Sequence, residues 1–235
     1  MTVAAIMTEL KSLGDPKIKS ILQKHGVREP LFGVRIADMK PIQKKIKKDY
    51  QLAKDLYATG NADAMYLAGL IADDEKMTKK DLQTWVEQAL SHNICDYTVP
   101  WVAAGSPHGY ALALEWIDAK EEHIAAAGWG TLGCWVSLKA DKDLDLPALK
   151  NLVSRVAKTI HTAPNRVRYV MNNFIISVGA YVTPLTKEAI ATAGKIGEVT
   201  VDMNGTCCKV PDAKEYIGKI EARGSLGKKK KMVKC

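Results

Sequence analysis

The chain has 235 residues, 47% of them apolar, which is enough for one substantial core or a run of stacked repeats and too apolar for a disordered chain. Its net charge is +8, and five of those charges fall on Lys228, Lys229, Lys230, Lys231 and Lys234, so a mildly basic body precedes a strongly basic end. No apolar run approaches the roughly 18 residues that cross a bilayer, and residues 1–13 lack a secretory pattern, which points away from membrane and exported classes.

In chain order, apolar residues recur at helical spacing. Val3, Ile6, Met7 and Leu10 form the first stripe, and Leu82, Trp85, Val86 and Ala89 a later one. The clearest runs are Leu149, Leu152, Val153, Val156, Ala157 and Ile160, then Val167, Val170, Met171, Phe174, Ile175 and Val178. Ala213, Tyr216, Ile217 and Ile220 close the series. Each stripe predicts a helix that buries one face. Asp15-Pro16, Ser106-Pro107 and Thr183-Pro184 read as helix starts, with a capping side chain before a first-turn proline. Gly14, Gly26, Gly60, Gly197 and Gly224 stand near expected helix ends. The short β-leaning runs 199–203 and 34–36 read as loops. About a dozen helices of roughly 8 to 18 residues, joined by short connections, predict an all-α bundle or solenoid of helix pairs. The body is read as one domain over residues 1–223, with residues 224–235 as a basic, flexible tail.

The five cysteines (Cys95, Cys134, Cys207, Cys208 and Cys235) are odd in number and show no zinc spacing, so they read as reduced thiols in a reducing compartment. There is no P-loop, dinucleotide fingerprint, HExxH or GxSxG motif, and no cofactor or metal is expected. The charge distribution favours an acidic partner, nucleic acid first, over a solvated tail.

Three segments carry a resemblance. They are Phe32-Gly33-Val34-Arg35-Ile36-Ala37-Asp38-Met39, then Asn93-Ile94-Cys95-Asp96, and residues 171–181. In order and spacing they resemble the HEAT-like-repeat DNA alkylation repair family, whose best-known members are alkylpurine DNA glycosylases. The resemblance implies a superhelical stack of antiparallel HEAT-like helix pairs, an α-α superhelix whose concave basic surface holds duplex DNA. An intracellular, cytoplasmic location is expected, with association with the nucleoid or nucleus as the alternative, and the oligomeric state is left open with a monomer favoured. Family glycosylases release N3- or N7-alkylated purines without extruding the base, unlike enzymes that flip it into a pocket. The alkylated base is already cationic, so the protein needs mainly a carboxylate to stabilise the sugar cation, with aromatic faces beside it.

Carried over by position, the catalytic carboxylate falls on Asp96. The first aromatic position falls on His92 and the second near Ile176, so neither is aromatic here. An arginine of active members falls near Ala125 or Ala126. Tyr97, Trp101, Asn172 and Asn173 join His92 as the expected site wall. Pro100 follows Asp96 by four residues and has no N–H, so a helix bends or begins at Asp96, which could equally serve as an N-cap. His92 lies four residues before Asp96, where one helix would bring the two together. The other tryptophans read as core, and Gly128 and Gly130 as sites of close helix packing.

Contacts to the DNA backbone are expected from Arg35, Lys40, Lys44, Lys45, Arg166, Arg168, Lys228, Lys229, Lys230 and Lys231. Lys47 and Lys48 extend the same basic run. Three readings stay open: a DNA-binding repair protein with glycosylase chemistry through Asp96, a non-catalytic DNA-binding or damage-sensing protein, and a helical-repeat scaffold for a protein partner.

Overall fold

Helix starts are set by short polar side chains that satisfy the orphan amides of each first turn. Thr2, Asp15, Asp49, Asn61, Asp145 and Asp212 each accept hydrogen bonds from backbone N–H groups one to three positions into a helix. Thr78 and Asp81 form a reciprocal capping box. The computed structural model, which describes residues 1–234, turns these signals into thirteen α-helices and, among the described residues, no strand. They are α1 Val3–Leu13, α2 Pro16–Lys24, α3 Ile36–Ile46, α4 Tyr50–Tyr57, α5 Ala62–Ile71, α6 Lys79–Glu87, α7 Val99–Gly105, α8 Gly109–Trp116, α9 Glu122–Leu138, α10 Leu146–Thr159, α11 Asn165–Tyr181, α12 Thr186–Ile196 and α13 Ala213–Ala222. No helix among the described residues is long and apolar enough to cross a membrane.

The chain is thus all-α, a stack of helix pairs as the periodicity predicts. α4 packs on α5, α8 on α9, and α12 and α13 on α11, while α9 and α11 run against each other along their length. The expected stripes face inward: Ile6 and Leu10, Leu82, Trp85 and Val86, Leu149, Val153 and Val156, and Phe174, Ile175 and Val178 are buried. They form two large apolar clusters. One runs from α1 to α8 and takes in Ala127, and the other runs from α8 to α13. Burial of each such side chain contributes about 1.5–3 kcal/mol, so these faces dominate stability.

Some local expectations change. Asp15-Pro16 starts α2 as read, but Ser106 turns its hydroxyl back to the Ala103 carbonyl at 2.8 Å, and α8 begins only at Gly109. Thr183-Pro184 forms a single 3₁₀ turn before α12. Gly14 has φ −63°, so it is not a left-handed cap. A Cβ there would lie 2.7 Å from the Phe32 carbonyl oxygen, and this close approach is what requires glycine.

The largest departure is at the C-terminal end. Residues 224–234, expected as a flexible tail, lie against both halves of the molecule. Leu226 packs on the second cluster and Val233 on the first. Gly227 N–H donates to the Ala180 carbonyl and Lys230 N–H to the Ser137 carbonyl, both at 2.8 Å. Lys229 pairs with Asp141 at 2.9 Å and Lys234 with Asp74 at 2.6 Å. Lysine-rich composition reads as solvated because it does not reveal the distant carboxylates that fix two of its side chains, Lys229 and Lys234.

Candidate functional site

The site begins with a backbone irregularity. Pro100 offers no N–H to the Asp96 carbonyl, and the chain widens into a π-helical turn, Ile94–Thr98, before α7. The Val99 N–H reaches back to the Ile94 carbonyl, the five-residue spacing of a π turn. Helix α9 lies close to this turn because Gly130 has no side chain. A Cβ there would sit 2.9 Å from Pro100 Cγ and 3.3 Å from the Asp96 carbonyl oxygen. Gly128, likewise, faces the Ile117 backbone, where a Cβ would come within 2.7 Å.

The turn directs the Asp96 carboxylate inward, leaving its side chain 1% exposed. It caps no helix. Its partner is the guanidinium of Arg166 from the first turn of α11, 10% exposed, which donates to Asp96 Oδ2. The Cys95 thiol lies 3.3 Å from Asp96 Oδ1. Glu122, in the first turn of α9, accepts the Arg166 backbone N–H at 2.7 Å, where a carboxylate also suits the positive end of α11. The Arg166 guanidinium lies 4.6 Å from the Tyr169 ring centroid, and the Tyr169 and Tyr97 hydroxyls are 3.3 Å apart.

Burial pushes the Asp96 carboxyl above the usual carboxylate range, against the downward pull of Arg166. Arg166 moves the other way: burial pulls it down, and the adjoining Asp96 charge more than restores it. Burial and the positive charge of Arg166 lower His92, so its imidazole is neutral near pH 7. Burial beside Tyr169 lifts the Tyr97 phenol far above its ordinary range.

A cavity of about 190 Å³ opens beside Asp96, walled by Tyr97, Trp101, Asn173, Tyr181 and Lys230 among others. It shares Trp101, Lys230 and Val233 with a larger cleft of about 520 Å³, which also holds Lys47, Lys48, Lys139, Lys231 and Lys234 against Asp74 and Glu75. The two cavities are neighbours, with Trp101, Lys230 and Val233 lining both.

Of the residues expected as a site wall, Tyr97, Trp101 and Asn173 line this cavity. His92 is near enough to feel Arg166 and Asp96, but it does not line the cavity. Its N–H donates to the Gly26 carbonyl at 3.2 Å, and its ring covers Gly26, where φ is +79°. Asn172 is buried and donates to the Pro211 carbonyl at 2.9 Å. Arg166, expected on phosphate, is taken up by Asp96, and Arg168 leans on Asn165 at 3.5 Å. Arg35 lies 3.7 Å from Asp15, and Lys229 is spent on Asp141. Lys40, Lys44 and Lys45 are on α3 but not on the cleft wall, whereas Lys47 and Lys48, just beyond that helix, are. Lys228 is exposed.

Two features escaped the sequence reading. The pairing of Arg166 with Asp96, 70 residues apart and on separate helices, left no local sign, and Ala125 and Ala126, where active members carry an arginine, are buried in the second cluster. Lys139, at the end of α9, joins the basic wall, and nothing local marks it out.

The family described as DNA alkylation repair enzyme matches residues 6–209. The uncharacterized proteins Lin0241 of Listeria innocua serovar 6a and Lmo0209 of Listeria monocytogenes serovar 1/2a are each 31% identical over 229 residues, covering 95% of this chain and 99% of theirs. A solved structure from a new family of proteins related to the HEAT-like repeat DNA glycosylases, with affinity for branched DNA structures, superposes with a TM-score of 0.91. It is 36% identical, with 100% of both chains covered.

Proposed function

This chain belongs to the DNA alkylation repair enzyme family, and from that premise we propose that it binds branched DNA through the sugar-phosphate backbone without excising bases. The solved relative with affinity for branched DNA, similar along the whole chain, supports the substrate class. The observation that carries the absence of excision is the buried pair of Asp96 and Arg166. A carboxylate already neutralised by a guanidinium, and raised in pKa by burial, has little charge left for a sugar cation. His92 is neutral and faces Gly26, so it does not replace the missing aromatic. Loss of one well-placed stabilising group costs about 100- to 1,000-fold in rate, and here several are displaced.

A second reading, excision of N3- or N7-alkylated purines through Asp96, is supported by one feature. Asp96 lines one cavity with Tyr97 and Trp101, so the acid and two aromatic residues are neighbours there. Two measurements separate the readings. Fluorescence anisotropy with a four-way junction and with its linear arms, at matched salt, should show tighter binding to the junction. Incubation with methylated duplex should release alkylpurine no faster than buffer alone. Release well above that rate would replace the binding reading with the excision one, and equal affinity for junction and arm would remove the preference for branches.

A further inference from the structure

The C-terminal lysines fall into two sets, anchored and exposed. Lys229 and Lys234 point inward and are held by carboxylates on opposite halves of the molecule, Asp141 and Asp74. Each also donates to a backbone carbonyl, Lys229 to Val136 at 2.9 Å and Lys234 to Ala72 at 2.8 Å. Lys230 and Lys231 lie between these anchors and are exposed. They face the 520 Å³ cleft, whose other basic side chains come from the end of α3 (Lys47 and Lys48) and the end of α9 (Lys139). Lys139 and Lys231 have no carboxylate partner among the described residues, and Lys48 has only a distant one, Asp73 at 3.9 Å. Two acids line the cleft, Asp74, which Lys234 engages, and the exposed Glu75.

Resting on the DNA-binding reading, we propose that this composite cleft is the site for the phosphodiester backbone of one DNA arm, with residues 226–234 as a strap whose anchored lysines hold its exposed lysines towards phosphate. A free cationic tail would lose side-chain and backbone entropy on binding, whereas a fastened strap has already lost it in folding. Lys230 has a second function. Its ammonium lies 5.4 Å from the Tyr181 ring centroid, and both residues wall the Asp96 cavity, so the backbone site and the cavity meet at this lysine. An arm bound in the cleft therefore places its branch point at the cavity mouth.

The test uses the full chain, a four-way junction as probe, and salt titrations of affinity. Lys230→Gln with Lys231→Gln removes two expected phosphate contacts and leaves both anchors in place. The slope of log affinity against log salt should become shallower by about two, since each contact releases roughly one counterion. Lys187→Gln with Lys195→Gln, exposed on α12 away from the cleft, removes the same charge and should leave the slope close to that of the unmodified protein. Equal slopes for the two double variants, with the unmodified protein still binding the junction, would overturn the strap proposal alone. If the unmodified protein fails to bind at low salt, the DNA-binding reading falls and this proposal falls with it. Melting temperatures within about 2 °C of each other ensure that the comparison reports on contacts and not on folding.

Discussion

Among single residues, the Asp96–Arg166 pair has the clearest consequences. Both side chains are out of water, at 1% and 10% exposure, so their desolvation is offset only by each other and by the neighbouring Cys95 and Tyr169. Asp96→Asn leaves a guanidinium buried without a counter-charge, and the expected cost is about 3–5 kcal/mol by denaturant unfolding. Adding Arg166→Met removes the stranded charge and should recover most of that loss, because a well-packed apolar pair often equals a buried ion pair. If the double variant is no more stable than Asp96→Asn alone, the pair is not the source of the loss. In a catalytic carboxylate the same substitution would act mainly on rate, so a large stability effect with no change in base release is the signature of a structural acid.

At the scale of elements, the loop between α2 and α3 shows how a motif and its physical cause can be separated. Phe32, Gly33 and Val34 present three successive backbone N–H groups to the buried carboxylate of Asp63, at 2.6, 3.0 and 3.0 Å. Gly33 has φ +85°, and a Cβ there would meet the Asp15 carbonyl oxygen at 2.6 Å, so only glycine lets the loop wrap the acid. Asp63→Ala strands three buried donors and should lower stability by roughly 2–4 kcal/mol, with amide exchange accelerated first at these three residues. Uniform acceleration across the chain would mean that the loop is not a local unit. The Phe32–Met39 segment was recognisable in the sequence, but Asp63 was not, because a hydrogen-bonding partner some 30 residues away leaves no local pattern. Helices were legible for the opposite reason: a stripe such as Leu149, Leu152, Val153 and Val156 is written within one turn after another. Pro100 revealed the bend at Asp96 because a missing N–H is a local fact, while the choice of a π turn depended on the approach of Gly130 from α9. Ser106-Pro107 misled because the Ser106 hydroxyl accepts the His108 N–H in a local turn, and α8 starts only after it, at Gly109.

For the whole molecule, the question is what keeps two apolar clusters in one arrangement. α8 and α9 contribute to both, and the strap supplies a second connection far along the chain, with Leu226 on one cluster and Val233 on the other. Its ion pairs are shielded, with Lys234 7% and Asp74 18% exposed, so they are weakened less by salt than surface pairs. Burial pushes Asp74 up and Lys234 down, each towards its neutral form, and their mutual attraction opposes both shifts. A chain ending at residue 224 loses both ion pairs, both apolar contacts and the backbone bonds to Ala180 and Ser137, and it leaves Asp74 half-buried without its ammonium. A net loss of about 3–4 kcal/mol corresponds in a chain of this size to a melting temperature lower by about 10 °C. With the strap gone the apolar clusters share only α8 and α9, with the Asp96–Arg166 and Tyr97–Tyr169 contacts beside them, and unfolding followed separately by the fluorescence of Trp85 in the first and Trp129 in the second, with the other tryptophans replaced, should split into two midpoints. A truncated chain that melts in one step at the original temperature would show that α8 and α9 with these contacts unite the halves and that the C-terminal lysines have no structural part.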